Sequence, residues 1–332
     1  MKCVVTGGAG FIGSAIAKRL EKDNHDVVIV DDFSAGYETN LKGFSGEIIK
    51  ASVVEADKVA PAIKDANLIF HLGAMNALPD CSNDMVATME VNVKGTASLL
   101  DMARRTAAKD CRFVFTSSSA VYEGSDKLPN TESDQPNPHL AYAISKLQGE
   151  FLCRSFHKSF GLPYTIIRPF NVYGEGQDFR REQPPVMCAL AIPLLQGKQA
   201  TIYGDGTQAR DFIHVEDMAE LFVVAATHPK GAGQAFNGGV GKSVNINDIY
   251  KMICSELGTD KEPIYAPAQG LFDKYPALKE GNFVFRDEAV THESLKTTQA
   301  DTTKTKDLLG WEPKISMEEG VKRSVEYVKQ NL

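Results

Sequence analysis

The sequence predicts an α/β fold, a doubly wound parallel sheet with helices on both faces and a smaller C-terminal lobe. Short apolar runs rich in β-branched residues alternate with helical segments through the first half of the chain, which is typical of such sheets. A glycine-rich turn joins the first run to the first helix, and the alternation stops after Arg168. A chain of 332 residues is long enough for one large domain or for a core with an appended lobe.

The apolar runs each predict a strand that is buried on both faces of the sheet, at residues 2–6, 27–30, 47–51, 68–72, 112–116 and 164–168. Helical spacing of apolar residues predicts helices at 11–22, 85–107 and 141–160. Residues 168–185, rich in Pro, Gly and charge, mark the change to the lobe. We therefore assign residues 1–168 and about 211–238 to the sheet domain. Residues 169–210 and 239–332 form the predicted lobe, with a cleft between the two.

The composition of the chain argues against nucleic acid, metal ions and membranes as partners. The net charge is −7 with acids and bases interspersed, so there is no basic stripe for nucleic acid. The six cysteines are scattered without a CxxC or Cys/His cluster, so neither a disulfide framework nor a metal site is predicted. The sequence shows no signal-peptide pattern and no run of ~18 apolar residues that would span a membrane. We expect a cytoplasmic protein without a nucleic-acid, membrane or metal partner.

The first strand runs directly into the stretch TGGAGFIG, which places glycines at 7, 10 and 13 and begins a helix at Phe11. Backbone N–H groups at such a turn bind a pyrophosphate together with the helix N-terminus. Asp31 ends the second strand, where a carboxylate accepts a ribose 2′-hydroxyl and repels a 2′-phosphate. These features predict a Rossmann-type domain that binds NAD rather than NADP. The alternative is a glycine-rich turn with Asp31 as a solvated strand end.

Tyr142 and Lys146 are four residues apart in the stretch AYAISK, so they share one face of a helix. A tyrosine hydroxyl, with a pKa of about 10, is a poor base until positive charge stabilises its phenolate, and lowering that pKa by ~3 units takes about 4 kcal/mol. On its own this spacing is common on exposed helices. Downstream of a dinucleotide-binding turn, it predicts a catalytic pair.

Several motifs together resemble one enzyme family: the stretch GGAGFIG, the serines before Val121 and Tyr122, and the stretches YAISK, RPFNVYG, YGDGTQARDFIHVEDMA and ADTTKTKDLLGWEP. They resemble the extended short-chain dehydrogenase/reductases, especially the NAD-dependent nucleotide-sugar epimerases and dehydratases of the UDP-glucose 4-epimerase type. The resemblance covers nearly the whole chain, from residue 2 to about residue 328.

The resemblance implies a catalytic set of Ser118, Tyr142 and Lys146. Tyr142 is the expected general base, and Lys146 is expected to hold the nicotinamide ribose and to lower the tyrosine pKa. Ser118, four residues before Tyr122, is expected to bridge the sugar hydroxyl and Tyr142. The implied NAD-binding residues are Gly7, Gly10, Phe11, Ile12, Gly13, Asp31, Asp32, Ser34, Ser52, Val53, Leu72, Ala74, Asn92, Ser117, Tyr142, Lys146 and Phe170.

The resemblance also implies a nucleotide-sugar substrate, expected to be a UDP-sugar. Asn171 and Arg210 are expected to bind its diphosphate, because a guanidinium suits two phosphate oxygens, and Tyr203 is expected against the nucleobase. An ion pair of Arg210 with Asp211 or Asp217 is the alternative. The second phosphate-binding arginine that the family often carries has no counterpart at its usual place in this chain.

The fate of the 4-keto intermediate decides the reaction, because oxidation of a sugar C4 hydroxyl needs only NAD and the Ser/Tyr/Lys set. Dehydratases of the family place Asp and Glu where this chain has Ser119 and Ala120. The decarboxylases commonly place Glu at the position of Ala120. Without these acids, the simplest outcome is rotation of the keto sugar and return of the hydride to its opposite face. The sequence therefore predicts an isomerase of carbohydrate metabolism, a 4-epimerase of a UDP-hexose such as UDP-glucose or UDP-galactose.

Other reactions of the family stay open: those of a dehydratase with displaced acids, a decarboxylase, a keto-sugar reductase or an epimerase at another carbon. An NAD-sensing or scaffold protein is the non-enzymatic alternative. Residues 85–107 and 141–160 carry apolar positions on more than one side. The resemblance implies that they pack on a second copy of the chain, so we expect a homodimer, whereas burial against the sheet is the alternative.

Overall fold

The structure is a computed structural model that describes residues 1–181, 184–268, 270 and 275–332. Its strands are β1 (Lys2–Thr6), β2 (Asp26–Asp31), β3 (Glu47–Lys50), β4 (Leu68–His71), β5 (Arg112–Thr116), β6 (Tyr164–Pro169), β7 (Asn171–Tyr173), β8 (Thr201–Tyr203), β9 (Ala209–His214), β10 (Gln234–Gly238), β11 (Ser243–Asn245) and β12 (Ile264–Ala266).

Its helices are α1 (Phe11–Lys22), α2 (Ala56–Ile63), α3 (Leu78–Asn83), α4 (Met85–Met89), α5 (Gly95–Thr106), α6 (Ala141–Phe160), α7 (Val186–Leu195), α8 (Val215–Thr227), α9 (Ile246–Leu257), α10 (Asp287–Leu295), α11 (Thr303–Leu309) and α12 (Met317–Asn331). None of the described helices is long and apolar enough to cross a membrane.

The centre of the fold is a parallel sheet in the strand order β10-β6-β5-β4-β1-β2-β3. On one face, Ile16 and Leu20 of α1 share a core with Phe222 of α8. On the other face, Ile63 of α2 shares a core with Leu99 of α5. This arrangement confirms the predicted fold class. The strand order reverses between β1 and β4, and in such sheets ligands bind outside the carboxyl ends of the strands at this reversal.

All the predicted strands are present, each within one residue of its predicted bounds. β3 corrects one expectation, because it is not buried on both faces: most of its residues are exposed, and Ile48 is 44% exposed. The reason is its position. β3 lies at the edge of the sheet, paired with β2 alone, and an edge strand is less covered than a central one.

The long helix predicted at 85–107 is divided into α4, a π-helical segment Glu90–Lys94, and α5. A π-helical turn holds more residues than an α-turn, so it shifts the side chains that follow it around the axis. Asn92, inside this segment, is buried. Its Nδ2 donates to the Met75 carbonyl oxygen and to Ser145 Oγ, both at 2.9 Å. The irregular segment therefore ties α6 to the loop after β4.

The later elements form a second group with its own core. β7, β9 and β11 form a three-stranded sheet, and β8 pairs with β12. Leu190 of α7, Ile253 of α9 and Val325 of α12 pack together in that core. β10, in contrast, returns to the central sheet and pairs with β6.

Candidate active site

A cavity of about 770 Å³ is lined by residues from both groups of elements. Its walls bring together several residues that the sequence singled out: Ser118, Tyr142, Phe170, Asn171, Tyr203 and Arg210. The residues from the central-sheet group follow β5 and β6 or open α6. The cavity therefore lies at the carboxyl end of the parallel sheet, where ligands bind in this class of fold.

Tyr142 and Lys146 lie in the first turns of α6, and Tyr142 is part of the cavity wall. Lys146 Nζ donates to the Thr116 carbonyl oxygen at 2.9 Å and lies 5.7 Å from the centre of the Tyr142 ring. The Ser118 side chain hydrogen-bonds Tyr142, and Ser118 Oγ accepts the Ala120 N–H at 3.1 Å. A hydroxyl, a phenol and an ammonium group are thus held together, a set that suits general-base catalysis by the phenol.

Burial has the largest effect on the pKa values of Tyr142 and Lys146. It raises the pKa of Tyr142 to about 12, against the effect of the Ser118 hydrogen bond, and it lowers the pKa of the Lys146 ammonium to about 8. The sequence led us to expect that Lys146 lowers the tyrosine pKa. Burial acts in the opposite direction, because loss of hydration disfavours the phenolate, and the effect of Lys146 stays a prediction.

The glycine turn after β1 forms a cradle with no room for side chains. Gly7 has a φ of 69°, and a Cβ there would lie 2.7 Å from the Gly73 nitrogen. A Cβ at Gly13 would overlap the Gly7 carbonyl oxygen. Phe11 and Ile12 begin α1 between these glycines. A cradle of bare backbone at a helix N-terminus fits the pyrophosphate of a dinucleotide.

Gly13→Ala tests this cradle. We expect the free energy of unfolding to fall by about 1–3 kcal/mol, because the new methyl group forces the turn away from α1, and we expect less dinucleotide to copurify. Denaturant titration and quantification of bound dinucleotide measure the two effects. Gly10→Ala is the graded comparison, since its Cβ would lie 3.1 Å from the same oxygen. Equal, small effects of both changes would contradict the assigned close approach.

Asp31 connects the end of β2 to the glycine turn. Its Oδ2 accepts the Ala9 N–H and its Oδ1 accepts the Phe33 N–H, both at 2.8 Å. Burial raises the pKa of Asp31, and these two hydrogen bonds act in the opposite direction. Each carboxylate oxygen keeps a second lone pair. Asp31 can thus accept a ribose hydroxyl while it fixes the turn.

The other predicted NAD-binding residues lie along the same edge of the sheet. Asp32 Oδ1 accepts both the N–H and the hydroxyl of Ser34. The Ser52 N–H donates to Glu55 at 2.9 Å, next to the buried Val53. After β4 come Leu72 and Ala74, and near them Asn92 Oδ1 accepts the Met75 N–H at 2.8 Å.

Ser117 belongs to a buried cluster of polar side chains, with Glu150 and Arg168, that the sequence did not predict. Its hydroxyl donates to Glu150 Oε1 at 2.7 Å, so this hydroxyl is engaged inside the protein. Arg168 Nε and one terminal nitrogen donate to the two oxygens of Glu150, at 2.8 and 2.7 Å. Both members of the ion pair are almost fully buried. Glu150 lies one turn after Lys146 on α6. The helix that carries the catalytic candidates is therefore tied to β6 by an ion pair and to the residue after β5 by a hydrogen bond.

The predicted substrate residues meet on the lobe side of the cavity. The Arg210 guanidinium donates to the backbone oxygens of Ala209, Ser294 and Lys296. The Asp211 carboxylate accepts backbone N–H groups of residues 240, 241 and 300. Lys296, which sequence reasoning missed, also lines the cavity. Two cations beside Asn171 and Tyr203 suit a diphosphate.

The cavity wall near Ser118 carries no acid. Among the described residues that line the cavity, none is Asp or Glu, and Ser119 and Ala120 are part of the wall. The acid nearest in sequence, Glu123, is buried, and its Oε2 accepts the N–H groups of His139 and Leu140 at 2.6 and 2.7 Å. Within the described part of the chain, Tyr142 is therefore the one proton-transfer group beside Ser118 on this wall.

Comparison with known proteins agrees with this geometry. Residues 3–241 match the model of the NAD dependent epimerase/dehydratase family. A UDP-glucose 4-epimerase from Mycolicibacterium smegmatis is 32% identical over 335 residues, 99% of this chain and 99% of that protein. A UDP-N-acetyl-alpha-D-glucosaminuronate decarboxylase from Bacillus cytotoxicus is 29% identical, over 99% of this chain and 98% of that protein. The structure of a UDP-glucose 4-epimerase from Thermotoga maritima with UDP-glucose is 30% identical with a TM-score of 0.87, covering 100% of this chain and 99% of that one.

Proposed function

This chain belongs to the NAD-dependent epimerase/dehydratase family, and we propose that it is a 4-epimerase of a UDP-hexose, such as UDP-glucose or UDP-galactose, that retains its NAD through turnover. It is an NAD-dependent enzyme of nucleotide sugars, so the predicted family and cofactor are confirmed. The reaction and the sugar are the proposed part, and the walls of the cavity support them.

The observation that carries the proposal is the lack of a carboxylate in the described cavity wall. Elimination of water from a keto sugar needs an acid and a base beyond the tyrosine. At the two positions where dehydratases of the family place Asp and Glu, the wall of this cavity has Ser119 and Ala120. A 4-epimerase needs no further group, because the proton that leaves the C4 hydroxyl returns to the same oxygen.

The residues of the chain have distinct tasks in this reaction. NAD held by the glycine turn and Asp31 would supply reversible hydride transfer to and from the sugar. Tyr142 takes the proton of the C4 hydroxyl, with Ser118 hydrogen-bonded to it to hold the oxygen in place. The Lys146 ammonium favours the phenolate by its positive charge. Arg210 and Asn171 hold the diphosphate at the lobe side, so the sugar can rotate while the nucleotide stays bound.

The purified enzyme should interconvert UDP-glucose and UDP-galactose without added cofactor. NMR or chromatography of the sugar after incubation measures the conversion, and absorbance at the reduced-nicotinamide band measures any net redox change. Net accumulation of NADH or a 4-keto-6-deoxy product would overturn the proposal. Loss of a carboxyl group from UDP-glucuronate as CO₂ would favour the decarboxylase alternative that the Bacillus cytotoxicus relative suggests.

We also propose that the protein is a homodimer, formed through the helices that the sequence singled out. Val86 and Met85 at the start of α4 are 81% and 55% exposed, and Phe151 on α6 is 55% exposed. Large apolar side chains exposed together mark interaction surfaces. Sedimentation should give twice the chain mass for the native protein and a single chain for Val86→Lys/Phe151→Lys. Glu90→Lys, an exposed change in the π-helical segment that follows α4, is the charge control. A monomeric native protein would contradict the proposal.

A further inference from the structure

In the side-chain amide of Gln208, the nitrogen has a hydrogen-bond partner and the oxygen has none among the described residues. Gln208 lies between β8 and β9 and is 9% exposed. Its Nε2 donates to the Tyr203 carbonyl oxygen at 2.7 Å, which fixes the orientation of the amide. Its Oε1 is buried and has no hydrogen-bond partner among the residues that the structure describes. Gln208 also lines the cavity, so this oxygen is available to a ligand there.

A buried acceptor without a partner is costly, and most such groups in proteins are paired. An amide oxygen can only accept a hydrogen bond. The ligand group that matches it is therefore a donor. The same oxygen disfavours a ligand that presents a lone pair at that point.

The position of Gln208 indicates which part of a nucleotide sugar meets it. Tyr203, whose carbonyl oxygen holds the amide, lines the cavity on the lobe side, and so does Arg210, two residues along the chain. Ser118 and Tyr142 belong to the sheet side of the same cavity. If the sugar lies at Tyr142 and the diphosphate at Arg210, as proposed above, the nucleobase is left for the lobe side of the cavity, which Tyr203 and Gln208 line.

We propose that Gln208 Oε1 accepts the ring N–H of an imide nucleobase, uracil or thymine, and so selects against cytosine. Uracil and thymine carry a hydrogen on N3, whereas N3 of cytosine is a bare acceptor. The inference deepens the proposed function and rests on it for the location of the nucleotide in this cavity. It adds a specificity-determining residue, because the base is read by an atom whose orientation Tyr203 fixes.

Calorimetric titration of the NAD-loaded, full-length protein with UDP, TDP and CDP tests the proposal. The native protein should bind UDP at least about tenfold more tightly than CDP, because one buried hydrogen bond is lost and an acceptor is left unpaired. TDP shows whether the site also admits the thymine methyl group. Equal affinities of the native protein for UDP and CDP overturn the proposal, whatever the variants do.

Two variants separate base reading from support of the turn. Gln208→Met keeps the length of the side chain and removes Oε1. The ratio of the affinity for UDP to the affinity for CDP should therefore fall by about tenfold. Gln208→Glu keeps an acceptor but loses the donor that orients it against the Tyr203 carbonyl oxygen, so the ratio of UDP to CDP affinity should fall, though less than in Gln208→Met. If both variants lose affinity for UDP and CDP alike, the amide only supports the turn and the proposal is wrong.

Thr207→Ala is the matched control. Thr207 is exposed, and its hydroxyl donates to Asp205 Oδ1 at 2.6 Å in the same turn. The UDP-to-CDP ratio of this variant should equal that of the native protein, and an equal loss in Thr207→Ala and Gln208→Met would count against base reading. Because the titrations need no turnover, a protein that prefers UDP but does not interconvert C4 epimers contradicts the proposed reaction and leaves this inference standing.

Discussion

Tyr142→Phe should lower kcat by about 10²–10⁴-fold while NAD stays bound. The change removes one hydroxyl and keeps the ring, so the packing of α6 is preserved. No other group on the described wall beside Ser118 can take the proton of the C4 hydroxyl, because that wall carries no Asp or Glu. Steady-state rates measure the loss, and NAD released by denaturation measures the occupancy.

Tyr250→Phe is the control for this loss. The Tyr250 hydroxyl donates to the Lys261 carbonyl oxygen at 2.6 Å, and Tyr250 is absent from the described cavity wall. We expect this variant to keep near-native turnover. If Tyr142→Phe also turned over at the native rate with NAD bound, Tyr142 would not be the general base.

Arg168→Met should lower the free energy of unfolding by about 3–5 kcal/mol. The exposed fractions of the Arg168 and Glu150 side chains are 1% and 0%. Without Arg168, the buried carboxylate keeps only the Ser117 hydroxyl and the guanidinium of Arg154, a side chain that is 43% exposed and lies 3.0 Å from Glu150 Oε2. Replacement of both, as Glu150→Leu/Arg168→Met, should recover much of the loss, because no isolated charge remains. Denaturant titration of the NAD-loaded protein measures both variants.

Arg105→Met is the matched change at the surface. Arg105 pairs with Asp101 at 2.8 Å, with side chains 60% and 43% exposed, and such a pair contributes less than about 1 kcal/mol. An Arg168→Met variant no less stable than Arg105→Met would show that the buried pair does not fix α6. Recovery in the double variant would indicate that the cost arises from the unpaired charge.

The strand and helix boundaries that the sequence predicted best are those with a local cause. Glycines end β1 and permit α1 to begin at Phe11, and Gly161, in the left-handed region, ends α6. The π-helical segment after Met89 was not predicted, since one extra residue in a turn hardly changes the apolar pattern. α2 was not predicted either, and it contains Pro61, a residue that normally argues against a helix.

The candidate site was predictable where short motifs carry the chemistry, as at Tyr142, Lys146 and Ser118. The ion pair of Glu150 and Arg168 was not, because charged side chains are expected at the surface, and their pairing joins residues from different elements. Glu150 does follow Lys146 by four residues, so the helical spacing already placed it on the same face. Gln208 lies inside a motif quoted from the sequence, but its open oxygen is visible only in the folded chain.

The two hydrogen bonds of Asp31 limit how the coenzyme preference of this enzyme can be redesigned. To admit a 2′-phosphate, the carboxylate must be removed, and a small or cationic replacement would also release the Ala9 and Phe33 N–H groups. Asparagine offers a single acceptor oxygen, so it can readily serve one of those two groups. An NADP-accepting version therefore needs a second substitution that supplies the lost acceptor. A single substitution of Asp31 would change the coenzyme preference but would also distort the glycine turn.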